Sequence, residues 1–134
     1  MTVKIYTYTN SAPRKHITGF AFVIDVNGHT ITRKGAYKDA SKNIAEVYTV
    51  LNALNFVKRP SEIKLYTSDF VKSAIESWIP KWRESGWKNS KGVPMQMEFI
   101  SLANLLKPHK YSVSTAHNEY SDWLKRQAVE MERK

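Results

Sequence analysis

No cysteine occurs among the 134 residues, which excludes disulfides and thiolate metal sites. Long apolar runs are missing too. The longest, Phe20 to Ile24, is a strand's worth, far short of the ~18 residues a membrane span needs. No basic segment followed by a hydrophobic stretch stands at the N-terminus, so no signal peptide is expected. Internal repeats, low-complexity tracts and a dividing linker are absent, which predicts a single domain over residues 1–134. Together these absences predict a cytoplasmic protein without membrane association. Acidic residues are scarce: 12 of them against 21 Lys and Arg give a net charge of +9. Such a field attracts polyanions, and nucleic acid is the commonest of these in a cell.

What is present, 42% hydrophobic and 25% charged residues, suffices for an ordinary core. Residues 4–9 read as a strand. Residues 18–26 are a second, with Phe20, Phe22 and Ile24 alternating against Ala21, Val23 and Asp25. Asn27-Gly28 suits a type I′ turn, from which residues 29–36 return antiparallel. A helix follows, capped by Asp39 or Ser41, striped by Ile44, Val47, Tyr48, Leu51 and Leu54, and ended by Arg59-Pro60. Residues 62–67 form a fourth strand. Residues 69–82 are helical, bent or divided by Pro80, and 81–94 make a polar excursion. A helix over 97–106, a fifth strand over 111–115 and a closing helix over 121–133 complete the chain. This order predicts an α/β fold: a five-stranded mixed sheet, three antiparallel strands plus two parallel ones, flanked by helices.

Three stretches carry a family resemblance: Val3-Lys4-Ile5-Tyr6-Thr7, Leu65-Tyr66-Thr67, and Trp78-Ile79-Pro80-Lys81-Trp82-Arg83-Glu84-Ser85-Gly86-Trp87-Lys88. With them, in this order of elements, residues 3–131 resemble the ribonuclease H family. The first stretch is similar to that family's opening strand. The second is similar to the strand that delivers its third catalytic aspartate. The third is similar to its helix and basic protrusion, which grips hybrid. The family hydrolyses phosphodiesters with two divalent metal ions held by four carboxylates. The resemblance puts those acids at Tyr8, Glu46, Ser68 and Asp122, so that Glu46 and Asp122 are remnants and Tyr8 and Ser68 degenerate positions. It puts His117 where the family has a loop histidine that assists water activation or product release. Asn43 keeps one of two substrate-contacting asparagines, and Lys42 replaces the other. The loop of residues 9–18 lacks the family's glycine run.

Half the acids give half the charge, so the resemblance implies at most a weak metal site at Glu46 and Asp122, and no cofactor. Asp69 follows Ser68; strand alternation aims it away from Glu46 unless the strand has ended or bulges there, and its place at the strand-to-helix corner suits it to capping a helix. Asp25 and Asp39 fall at loop ends away from the site. Losing two negative charges while keeping a basic handle favours a polyanion without metal. Lys72, Lys81, Arg83, Lys88 and Lys91 flank Trp78, Trp82 and Trp87; at least one of Trp78 and Trp82, one helical turn apart, is expected to pack into the core, and Trp87 to be the most exposed. The function implied is a catalytically inactive domain that binds RNA·DNA hybrid or duplex RNA by shape. Two alternatives stand beside it. One is an active Mg²⁺- or Mn²⁺-dependent nuclease with a rearranged site using Glu46, Asp122 and Asp69. The other is a protein-interaction module, a decoy or adaptor of a viral or mobile element.

Overall fold

The computed structural model describes residues 2–12, 16–87 and 95–133. Strands β1 (Thr2–Ala12), β2 (Ile17–Val26) and β3 (His29–Lys38) form an antiparallel meander. β4 (Glu62–Tyr66) lies parallel to β1, and β5 (Lys110–Ser114) parallel to β4, giving the sheet order β3-β2-β1-β4-β5. The helices are α1 (Lys42–Leu54), α2 (Asp69–Ser73), α3 (Ile79–Glu84), α4 (Gln96–Leu106) and α5 (Ser121–Arg133). The predicted mixed sheet of three antiparallel and two parallel strands is therefore the observed one.

Strand alternation divides the core. Val3, Ile5, Phe22, Ile24, Ile63 and Leu65 point to one face and pack with Val47, Val50 and Leu54 of α1 and Phe99 and Leu102 of α4. On the other face Tyr6, Ala21 and Val23 pack beneath Leu124 of α5. That helix lies on β1, β2 and β3. It approaches β2 so closely that a Cβ at Gly19 would overlap the carbonyl oxygen of Ala128 and come within 2.8 Å of the Glu132 nitrogen.

Several boundaries differ from those predicted. The β1–β2 ladder does not stop at Thr9 but continues through Asn10↔Gly19, Ser11↔Thr18 and Ala12↔Ile17. Most of the expected first loop is thus strand, because nothing between Asn10 and Ala12 breaks extended pairing. Ser41 caps α1, its Oγ accepting from the Ile44 nitrogen at 3.3 Å. Asp39 instead takes a φ of +56° and its nitrogen donates to the His16 carbonyl at 2.7 Å. α1 ends at Leu54, ahead of Arg59-Pro60, as Phe56 and Val57 donate to carbonyls three residues back.

Proline 80 does divide the second helical region, but the division precedes it. A π-helical turn, Ala74–Trp78, separates α2 from α3, with the Ile79 nitrogen donating to the Ala74 carbonyl. The widened turn relieves the crowding a proline ring causes in a regular helix. Helix then continues to Glu84, so the excursion predicted from residue 81 starts later, and residues 88–94 lie outside the described residues. No helix among the described residues is long and apolar enough to cross a membrane.

Candidate functional site

Residues Thr7–Thr9 of β1, the end of β4 and the first turns of α1, α2 and α5 surround a cleft of about 540 Å³. Tyr8, Lys42, Glu46, Ser68, His117 and Asp122, scattered over the sequence, all line it. Crossover connections bring them together, since β4 runs parallel to β1 and ends opposite Tyr6, just before the β1 residues that line the cleft.

Glu46 is the buried centre of this cleft, 7% exposed on the inner face of α1. The Ser68 hydroxyl donates to its Oε2 at 2.7 Å, and the Thr9 hydroxyl to its Oε1 at 3.4 Å. Ser68 Oγ also accepts from the Val71 nitrogen at 3.2 Å, capping α2. One serine thus starts a helix and engages a buried carboxylate. Beside it the Thr7 hydroxyl donates to Thr67 Oγ1 at 2.7 Å.

Burial pushes the Glu46 carboxyl above the ordinary glutamate range. The Ser68 hydrogen bond, the Lys42 charge and the Thr9 hydrogen bond oppose that rise, and the Asp69 charge adds to it. The folded chain therefore holds this proton more tightly than the unfolded chain. Stability must fall as pH climbs from the unfolded glutamate value through the raised folded one. Glu46→Gln keeps an acceptor for Ser68 but removes the charge. Its thermal melts are expected to lose this part of the pH dependence and to lie above those of wild type at neutral pH. A variant less stable than wild type at neutral pH would contradict the assignment.

Asp69 meets the exception its position left open, not the capping role expected of it. β4 ends at Tyr66, so strand alternation no longer governs residue 69, and Asp69 lines the cleft. The cap it was expected to supply comes from Ser68. Even so, no three His, Asp or Glu side chains among the described residues gather in a way that could hold a metal ion. Asp25 lies elsewhere, its Oδ1 accepting from the Gly28 nitrogen at 2.8 Å in the β2–β3 turn. Tyr8 is half-buried, its ring packed against the cluster of Tyr6, Ala21, Val23 and Leu124. Asp122 is exposed in the first turn of α5. Asn118 and Ser121 fix that turn: the Asn118 nitrogen donates to Ser121 Oγ at 2.9 Å, and the Ser121 nitrogen to the Asn118 carbonyl at 3.1 Å. His117, exposed, immediately precedes them.

In the handle, packing into the core is expected of at least one of Trp78 and Trp82, but not of Trp87. Trp78, Trp82 and Trp87 are all half-buried and packed on the main core. Trp78 meets Phe70 edge-on at 5.2 Å, Trp82 stacks on Phe99 at 5.5 Å, and Trp87 lies 6.3 Å from Trp82. Trp87, expected to be the most exposed, is half-buried like the other two, because the chain turns back at Gly86 and lays it against Trp82. Lys81 and Arg83 are exposed. Lys72 pairs with Glu76 at 3.7 Å along its own helix rather than joining the handle. Asn43 is exposed at the start of α1 and does not line the cleft. Lys88 and Lys91 lie outside the described residues.

Sequence reasoning missed Thr7, Thr9, Thr67 and Lys125, which also line the cleft. A signal existed for two of them. Thr7 and Thr9 continue the inward register of Val3 and Ile5, and hydroxyls on a core-facing register need partners.

The comparisons agree with this architecture. The RNase H family model matches residues 1–130. Ribonuclease H of Legionella pneumophila (strain Corby) is 29% identical over 126 residues, 93% of this chain and 84% of that protein. Ribonuclease H of Clostridium botulinum (strain Hall) is 31% identical over 132 residues, covering 89% of each. The foamy viral protease-reverse transcriptase in complex with RNA/DNA hybrid shares the fold, with a TM-score of 0.71 at 17% identity. The match takes in 98% of this chain and 20% of the viral one, so this chain corresponds to about a fifth of that polypeptide. LC11-RNase H1 in complex with RNA/DNA hybrid gives a TM-score of 0.65 at 15% identity, over 98% of this chain and 96% of that one. By family model, by relatives and by sheet order, the chain belongs to the RNase H family.

Proposed function

We propose that this chain holds structured nucleic acid, RNA·DNA hybrid or duplex RNA, without cleaving it. In this reading Tyr8 and Ser68 stand where the family keeps metal-binding carboxylates, and Glu46 and Asp122 are what is left of the site. The observation that carries the reading is the engagement of both Glu46 oxygens by the Ser68 and Thr9 hydroxyls. No buried side-chain nitrogen or oxygen among the described residues lacks a hydrogen-bond partner. A pair of hard divalent ions needs several oxygens, mostly anionic, in near-octahedral array. Neutral Ser68 already gives its hydroxyl to Glu46, and a phenol is a poor substitute for a bridging carboxylate. The donor set does not fit the metal pair, and no hydrolytic step is assigned to these residues.

Support for nucleic acid as ligand comes from the net charge of +9, from exposed Lys81 and Arg83, and from Lys42 and Lys125 at the cleft. Two fold relatives are complexes with RNA/DNA hybrid. Family-like recognition of A-form shape carries little base preference. Each lysine or arginine that meets a phosphate contributes close to one unit of salt dependence. The Lys81→Gln/Arg83→Gln variant is therefore expected to weaken hybrid binding about tenfold at low salt and to flatten the slope of log K against log salt by about 2. Fluorescence anisotropy at several salt concentrations measures both. An unchanged slope would remove the handle from the interface. Asp69's place in the cleft is the one observation favouring a rearranged metal site. Cleavage of hybrid in Mn²⁺ that Glu46→Gln abolishes would support that reading over this one.

A further inference from the structure

The sheet face that carries α5 is covered by the helix over β1, β2 and β3. Over β4 and β5 it is open, with Lys64, Lys110 and Ser112 exposed and Tyr66 half-exposed. The register arranges this half-face in three rows. Tyr6, Tyr66 and Ser114 form one, Lys4, Lys64 and Ser112 the next, and Thr2, Glu62 and Lys110 the third.

In the first row the rings of Tyr6 and Tyr66 stack at 4.7 Å with planes 10° apart. Tyr120 closes the Tyr6 end at 4.8 Å. At the other end Tyr66 neighbours Ser114, whose side chain is too small to cover a ring. No second aromatic ring contacts Tyr66 among the described residues. The stack therefore ends open over β5, beside a slot suited to one more flat ring.

The second row sets two like charges side by side. Lys4 and Lys64 are direct neighbours on parallel strands, an arrangement that repels unless an anion lies between them. Neither they nor Lys110 make an ion pair among the described residues. Acids stand beside two of them and offset part of their charge without forming ion pairs, while Lys64 has no acid beside it in its row. Asp25, opposite Lys4, accepts from the Gly28 nitrogen, Glu62 sits beside Lys110, and Glu119 lies near Tyr6, all beyond ion-pair distance of these lysines. Tyr66 also lines the cleft, so the half-face runs directly into it.

We propose that this open half-face binds single-stranded nucleic acid, one base stacking on the free side of Tyr66 above Ser114 and phosphates lying along Lys4, Lys64 and Lys110. Aromatic stacking beside a basic track is how sequence-tolerant single-strand sites are built. An acidic peptide would answer the lysines but leave the slot beside Tyr66 empty. The surface adjoins the cleft but is separate from the handle, so the lysine and handle variants distinguish its failure from that of the duplex reading.

Anisotropy titrations of the full chain with labelled oligo(U) and oligo(dT) at low salt test it. Wild type is expected to bind both. Lys4→Gln/Lys64→Gln/Lys110→Gln should weaken binding at least tenfold, and Tyr66→Leu about tenfold, the loss typical of one stacked base. Tyr66→Phe, which keeps the ring, should bind as wild type and controls for folding. The triple lysine variant should retain hybrid binding, while Lys81→Gln/Arg83→Gln should retain single-strand binding. Absence of single-strand binding by wild type would overturn the proposal. So would undiminished binding in the lysine and Tyr66→Leu variants, or poly-glutamate competing as strongly as the oligonucleotides.

Discussion

Replacing Gly19 with alanine is expected to destabilise the protein by about 3 kcal/mol, the upper range for overpacking. β2 passes beneath α5 at this point, and an added methyl would collide with the helix backbone at Ala128 and Glu132 rather than with a yielding side chain. Backbone cannot step aside as a rotamer does, so the whole helix must lift from the sheet. For a chain of this length the loss corresponds to a melting temperature lower by roughly 10 °C. The effect reaches the cleft, because α5 carries Asp122 and Lys125 into it. Gly28→Ala is the control. Its Cβ would meet nothing within 4 Å, but its φ of +86° strains any other residue, and about 1 kcal/mol is expected. Circular dichroism melts rank the two, and a Gly19→Ala melt equal to wild type would contradict the close seating of α5.

The second large effect is a gain. Tyr8→Asp/Ser68→Asp is expected to bind Mg²⁺ and to cleave RNA·DNA hybrid on the order of a thousandfold or more above the wild-type background. The substitutions add carboxylates at two positions that line the cleft with Glu46 and Asp122. Aspartate caps a helix about as well as serine, so α2 should still begin at residue 68. Four acids in one cleft repel one another when no cation is present. The double variant should therefore melt below wild type in EDTA and recover in Mg²⁺, by about 2.7 kcal/mol at a metal concentration a hundredfold above its dissociation constant. Wild type should melt identically in both. A double variant indifferent to Mg²⁺ would show that Tyr8 and Ser68 are not the degenerate ligand positions.

Much of the architecture was legible before the coordinates. Alternation in residues 18–26, the Asn27-Gly28 turn and the helical stripes between later strands predict the mixed sheet of three antiparallel and two parallel strands, because each is a local pattern with one low-energy outcome. Extents were less legible. Nothing local distinguishes a strand that stops at Thr9 from one that continues to Ala12; the pairing with residues 17–19 decides it. The same holds for Asp69, whose direction depends on β4 ending at Tyr66. Trp87 illustrates a third kind of miss. Its neighbours in sequence are polar, and only the turn at Gly86 returns it to Trp82. Of the positions carried by the resemblance, Tyr8, Lys42, Glu46, Ser68, His117 and Asp122 meet at the cleft, while Asn43 stays outside it. The closure of Glu46 by Thr9 and Ser68 was not foreseeable, since it joins three separate elements at hydrogen-bond precision.

That closure is where the functional reading is most exposed to test. Labelled RNA·DNA hybrid can be titrated with the wild-type chain in EDTA and again in Mg²⁺ or Mn²⁺, with the strands then resolved on a denaturing gel. Equal affinity in all three conditions and intact strands throughout are predicted. Cleavage that requires the metal and vanishes in Glu46→Gln would contradict the account.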